Sequence, residues 1–262
     1  LYAGEELTPP AFQYRDYAQY CYDQAGGDFM KAQQEYWQSQ FSDEIPQLEL
    51  PLDYARSVHG SLAGGLFRFQ LDAGKTSRLN SLAVREGATL FMALMASFGL
   101  LLAKLSGNED VVVGTPTAGR NRPGLEQVMG MFVNTLPLRM NPGAELDFTA
   151  YLQQVKEGAL SAMANQDYPF EELVEWVEKN QPLDHRRNPL FDVMFAMQNL
   201  EMEEMQIPGL TLAPYASQKR TAKFDLTLSC WEEQEGLAFA MEYRTDLFKA
   251  SSAELLARYF QR

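Results

Sequence analysis

Apolar residues recur at three- to four-residue spacing between positions 12 and 41, first Tyr14, Tyr17, Ala18 and Cys21, later Phe29, Tyr36 and Trp37. That period predicts two consecutive helices broken at Gly26-Gly27. Residues 45–65 keep no period and read as a long connection, either a segment crossing between lobes or one with little order. LFRFQL (66–71) is a strand pattern, and 75–85, with Leu79, Leu82 and Ala83, a helix with one buried stripe. Thr89 stands as N-cap of a more fully apolar helix running to Leu105, ended by Gly107-Asn108. DVVVG (110–114) suits the centre of a sheet covered on both faces. Further on, 148–163 predicts a helix, and Asp167 with Pro169 reads as a cap and first-turn proline of another, continuing to Val177. Strand patterns at 190–195, 224–231 and 236–243 follow, the last two joined by EEQE as a hairpin. Strand, helix, helix, strand is the order of an α/β layer.

Composition narrows the classes. Lys and Arg number 22 against 35 Asp and Glu, a net charge of -13, which disfavours binding nucleic acid by bulk charge. No uninterrupted apolar stretch has membrane-spanning length, since Ser97, Gly99 and Lys104 break 90–105. The expectation is a soluble cytoplasmic protein without a membrane partner, its two cysteines, Cys21 and Cys230, buried thiols. The missing initiator Met and the amphipathic end, ELLARYFQR, lead us to expect a piece of a longer polypeptide.

Visible catalytic chemistry is sparse. Gly114 and Gly119 have the outer spacing of a phosphate loop, but Arg120-Asn121 replaces its Lys-Ser/Thr pair. No G-x-S-x-G occurs. The histidines are His59, in a Gly/Ser-rich connection, and His185, beside Arg186-Arg187, and neither has a spaced partner for a metal. Both read as surface residues.

Four segments in order change the picture: YRDYA (14–18), MGMFVNTLPLR (129–139), NQDYPFE (165–171) and RNPLFDVMF (187–195). Together they resemble the later core motifs of condensation domains in nonribosomal peptide synthetases. The resemblance implies a chloramphenicol-acetyltransferase-like fold, two α/β lobes forming a V around a tunnel. Each tunnel end would admit a 4'-phosphopantetheine arm of a carrier protein, one with a donor acyl or peptidyl thioester, the other with an acceptor aminoacyl thioester. The family's H-H-x-x-x-D-G motif is absent from these 262 residues, so the chain is expected to be the C-terminal lobe without the catalytic histidine, and inactive alone. Residues 1–44 read as a helical lead-in, 45–65 as the connection and 66–262 as the lobe, with the 114–130 loop reaching toward the other lobe. Expected partners are that other lobe, donor and acceptor peptidyl carrier proteins and an adjacent adenylation domain; no cofactor or metal is expected on the lobe itself.

The resemblance suggests that Arg139 pairs with the aspartate of the missing histidine motif. Asn134, on the same segment, would support substrate or backbone. Asn188, Gln198 and Asn199 are tunnel candidates, the last two because polar residues after an apolar strand can face a cavity. Two alternatives remain: a non-catalytic module docking carrier proteins or organising the assembly, and an epimerisation domain, whose counterpart of the 129–139 segment typically reads G-W-F-T.

Overall fold

The structure, a computed structural model, describes residues 11–57, 60–198, 210, 220–234 and 236–262. His59 and Asn199 lie outside the described residues. The elements are α1 (Tyr14–Gln24), α2 (Asp28–Gln40), β1 (Gly64–Asp72), α3 (Ala73–Arg85), α4 (Leu90–Ser106), β2 (Val111–Thr117), β3 (Asn134–Met140), α5 (Phe148–Ala164), α6 (Phe170–Asn180), β4 (Val193–Gln198), β5 (Leu226–Glu233), β6 (Gly236–Arg244) and α7 (Ala250–Phe260). One mixed six-stranded sheet has the order β1-β6-β5-β4-β2-β3. β2, β4 and β5 are mutually parallel at its centre, and β3, β6 and β1 pair antiparallel at the flanks. This is the expected α/β architecture.

Local chemistry sets the boundaries. Asp72 ends β1 and caps α3 by accepting from the Lys75 N–H at 2.8 Å, so the strand turns directly into the helix. Thr89 caps α4 through the Met92 N–H, and Gly107, at φ +72°, closes it in the left-handed region. α4 is the core helix. Its Phe91 and Phe98 lie against Phe195 of β4, with ring centroids 5.6 and 6.2 Å apart, and Phe260 of α7 closes on Phe98 and Phe239. The fully buried rings among them, Phe98, Phe195 and Phe239, each contribute roughly 1.5–3 kcal/mol. No single helix among the described residues is long and apolar enough to cross a membrane; α3 and α4 pass that test only as a pair bent by 105°.

Two expectations are corrected. Asp167 does not cap α6: the helix starts at Phe170, with Pro169 in the cap position and no side-chain cap of its own. The Phe170 N–H is instead satisfied from a distance, by the Asn134 side-chain oxygen at 3.2 Å. β4 starts at Val193, three residues later than its apolar pattern, because Leu190 adopts φ +67° and the Phe191 N–H bonds back to the Pro189 carbonyl. Residues 41–57, which include the first part of the expected 45–65 connection, pack on this lobe's own sheet as a strap. Leu48 and Leu50 are buried in the core, the Gln47 carbonyl accepts from Asn108, and the Asp53 and Tyr54 N–H groups bond to the Leu247 carbonyl.

Both cysteines are free, but only Cys230 is fully buried; Cys21 is half-buried. Burial pushes the Cys230 thiol up to about 12, so its thiolate is scarce at neutral pH. A disulfide-exchange reagent is therefore expected to label Cys21 in the native protein and Cys230 only after unfolding. Rapid native labelling of both would contradict the packing of β5.

Candidate functional site

The expected site residues divide between two ends of the sheet. Asn134 begins β3 opposite Thr117, the last residue of β2, and Gln198 ends β4 opposite Trp231 of β5. Both stand at the carboxyl ends of the parallel strands, where open α/β sheets bind ligands. Arg139 lies near the far end of β3, opposite Val112, and Asn188 precedes β4 at that same far end. Five residues of strand, roughly 17 Å, separate Asn134 from Arg139. The candidates therefore do not converge on one constellation.

Asn134 uses its whole side-chain amide on backbone. It donates to the Gln166 and Tyr168 carbonyls at 2.8 and 2.7 Å and accepts from the Thr135 and Phe170 N–H groups. Its role in this lobe is to lock the 165–170 turn onto β3. A substrate carbonyl would have to displace one of these bonds. From the other side, the buried Gln33 of α2 accepts from the Asp167 and Tyr168 N–H groups, both at 3.0 Å, and the Trp37 indole donates to the Asn165 carbonyl at 2.8 Å. Thr117 donates to the Gln166 side chain at 2.6 Å, and Gln198 is exposed at the carboxyl end of β4.

Between β2 and β3 the chain folds over α1. Phe132, Val128 and Leu125 form a small second core with Tyr17, and Tyr14 sets its ring edge-on to Phe132 at 5.2 Å. Arg120 is the hub: its guanidinium lies 4.3 Å over the Phe132 ring and donates to the Leu125 and Val128 carbonyls. That, with Gly114 inside β2, removes the phosphate-loop geometry. Gly119, at φ +63°, lets the chain pass where a Cβ would strike the Phe132 carbonyl oxygen. The same segment turns apolar side chains outward, Met129 at 91% and Met131 at 71% exposure, with Val133 and Tyr14 beside them.

At the opposite end Arg139 is saturated by its own chain. Nε lies 3.1 Å from both Asp110 oxygens, Nη2 donates to Asp110 at 2.6 Å and to the Glu44 carbonyl, and Nη1 to Asp43 at 2.7 Å and to the Gln40 carbonyl. All five N–H groups are placed. The bond from Arg139 holds the Asp43 carboxyl below the usual carboxylate range. Within this chain Arg139 pairs with Asp110 and with the largely exposed Asp43, and an aspartate from another lobe would have to displace one of them.

Beside it runs a buried ionic chain. Arg56 of the strap forks onto Asp225, which also faces Arg244 at 3.7 Å, and Arg244 is bidentate to Asp246. Arg187 donates to Asp192 at 2.6 Å and to the Leu48 carbonyl at 3.1 Å. Burial, and then the neighbouring Asp225 charge, push the Asp192 carboxyl above its usual range, against the pull of Arg187 and Arg56. A cleft of about 510 Å³ opens here, lined by the strap and by residues including exposed His185 and Asn188. Asn188 donates to the Lys223 carbonyl at 3.2 Å. No three His, Cys, Asp or Glu side chains among the described residues gather in a metal-binding cluster.

The Condensation domain family model matches residues 1–262, the whole chain. The chain belongs to the condensation-domain family. It is 45% identical over 262 residues to bacitracin synthase 3 of Bacillus licheniformis, covering 100% of this chain and 4% of that protein. A four-domain nonribosomal peptide synthetase bound to AMP and glycine matches with TM-score 0.78 and 28% identity over 90% of this chain and 19% of its own. The X-domain of teicoplanin biosynthesis, in complex with OxyB, matches with TM-score 0.86 and 26% identity, covering 99% of this chain and 59% of that one. This condensation-domain chain thus spans a small part of the synthetase it resembles and about three-fifths of a single solved domain.

The carboxylates that saturate Arg139 escaped sequence reasoning, as did the contacts of Asp167. Asp110 was within reach of a hairpin argument: it immediately precedes β2, one residue before the register Val111↔Met140. The 16 residues between β2 and β3, from 118 to 133, hid that pairing.

Proposed function

We propose that this chain is one lobe of a condensation domain that forms an amide bond between two carrier-bound substrates. The acceptor aminoacyl amine attacks the donor thioester carbonyl, the C–N bond forms, the C–S bond breaks and the donor phosphopantetheine leaves as a thiol. The histidine motif sits in sequence outside these 262 residues, and this lobe contributes positioning surface. Holding amine and thioester in line supplies much of the rate in such a reaction. The single observation that carries the reading is the family match over the whole chain. In support, the segment that joins the carboxyl end of β2 to β3 turns Met129 and Met131 outward, an apolar face suited to being covered by the other lobe. The partners in this reading are donor and acceptor carrier proteins and an adjacent adenylation domain, in the cytoplasm.

The test is direct. Incubated with donor and acceptor aminoacyl carrier proteins, the 262-residue chain should yield no dipeptidyl thioester by mass, whereas the same chain joined to the histidine-bearing lobe should. Product from the chain alone that disappears in a His185→Ala variant would overturn this assignment. A second reading, a non-catalytic docking module, is favoured by one observation: the X-domain that resembles this chain was solved in complex with another protein. An intact domain that binds carriers but makes no amide would support it.

A further inference from the structure

In the NQDYPFE segment the Asp167 carboxylate bonds outside its own turn. Gln33, Trp37 and Asn134 fix the backbone of residues 165–170 from three sides, and Asp167 is left to project across to the 118–133 segment. There its Oδ1 accepts from the Asn121 amide at 2.9 Å and its Oδ2 from Arg122 Nη2 at 3.4 Å. The Arg122 guanidinium in turn lies 3.9 Å over the Tyr20 ring of α1. One carboxylate on an immobilised turn thus joins the long segment, α1 and the turn preceding α6. Its side chain is 18% exposed, so the contacts are only partly open to competition from water.

We propose that Asp167 is a positioning residue for the condensation reaction, setting the height of the 118–133 segment through Asn121 and Arg122. The role rests on the reading above, in which that segment faces the other lobe. The second core around Phe132 holds the segment's shape, but among the described contacts Asp167 with Asn121 and Arg122 is a side-chain tie between it and the turn before α6. Losing the tie would leave the rest of the fold intact but let residues 120–122 shift and open more often. Misplacement by about 1 Å far from the chemistry lowers turnover by about 100-fold.

The test uses the complete condensation domain with aminoacyl carrier proteins. Asp167→Ala should lower kcat about 10- to 100-fold, keep KM for both carriers within about threefold, and leave the melting temperature nearly unchanged. Trypsin should then cut faster at Arg120-Asn121; Pro123 protects the Arg122 bond, so this site reports the segment alone. The swap Asn121→Asp with Asp167→Asn keeps both contacts, because Asn at 167 donates to the new carboxylate and still accepts from Arg122. It should restore most of kcat and the wild-type cleavage rate. Asp167→Ala with unchanged kcat and unchanged cleavage would overturn the proposal, as would a kcat loss that the swap leaves in place while the melting temperature falls. If the wild-type domain forms no amide, the amide-forming reading fails by itself, and the cleavage rates of the variant and the swap still decide whether Asp167 holds the segment.

Discussion

Asp225→Ala is expected to cost this chain about 3–5 kcal/mol, the penalty of leaving the buried Arg56 guanidinium without its forked counter-ion, whereas Arg244 keeps Asp246. The Asp225 side chain is 2% exposed and those of Arg56 and Arg244 are 8% exposed, so neither guanidinium can turn to water when the carboxylate goes. Such a loss is a large share of the 5–15 kcal/mol that holds a typical domain. It corresponds to a melting temperature roughly 6–20 °C lower at this chain length. The same variant releases the strap, because Arg56 is its ionic tie to the start of β5. Lys179→Ala is the control: its pair with Glu175 is 75% and 70% exposed and worth well under 1 kcal/mol. Thermal unfolding followed by circular dichroism compares them, and Asp225→Ala melting together with Lys179→Ala would show the network to be energetically idle.

The second large effect is that of Arg139→Ala, expected to destabilise the chain by about 2–4 kcal/mol without any other lobe present. Truncation removes the charge-assisted fork onto Asp110, 32% exposed, together with the bonds to the Gln40 and Glu44 carbonyls, and it frees the strap's start from β3. Arg139→Lys keeps the charge but has three donors on one atom and cannot reproduce the fork, so it should recover only part of the loss. A double-mutant cycle with Asp110→Ala names the partner. Coupling of about 1–3 kcal/mol in this chain places the pair within the lobe. Coupling near zero, with Arg139→Ala as stable as its parent, would return the arginine to a role between lobes.

Why Arg139 was legible as important and illegible in its partners follows from what a sequence encodes locally. Periodicity exposed α4, β2 and the β5–β6 hairpin because each buries its own consecutive residues, and Thr89 and Gly107 mark helix ends by chemistry within one turn. The cap of α6 failed that test: its acceptor, Asn134, sits 36 positions away. β4 failed for a similar reason, since the turn at Leu190 is imposed by packing and no glycine announces it. The motif segments pointed to a family, but a motif does not say which end of the sheet each of its residues reaches. Asn134 and Arg139 belong to one motif and lie at opposite ends of β3, a separation that only the register makes visible.

The pairing of β1 with β6 also has a consequence in time. Partners in that ladder lie between 164 positions (72 with 236) and 180 positions (64 with 244) apart. At the usual 5–20 residues per second of synthesis, β1 waits roughly 8–36 s for its neighbour to be made. During that interval Phe67, Phe69 and Leu71 have no strand to lie against, and β1 remains an open template for any other nascent chain. In a polypeptide made of many such domains, the ribosome's pace through the whole stretch between β1 and β6 of each one then governs how often neighbours exchange strands.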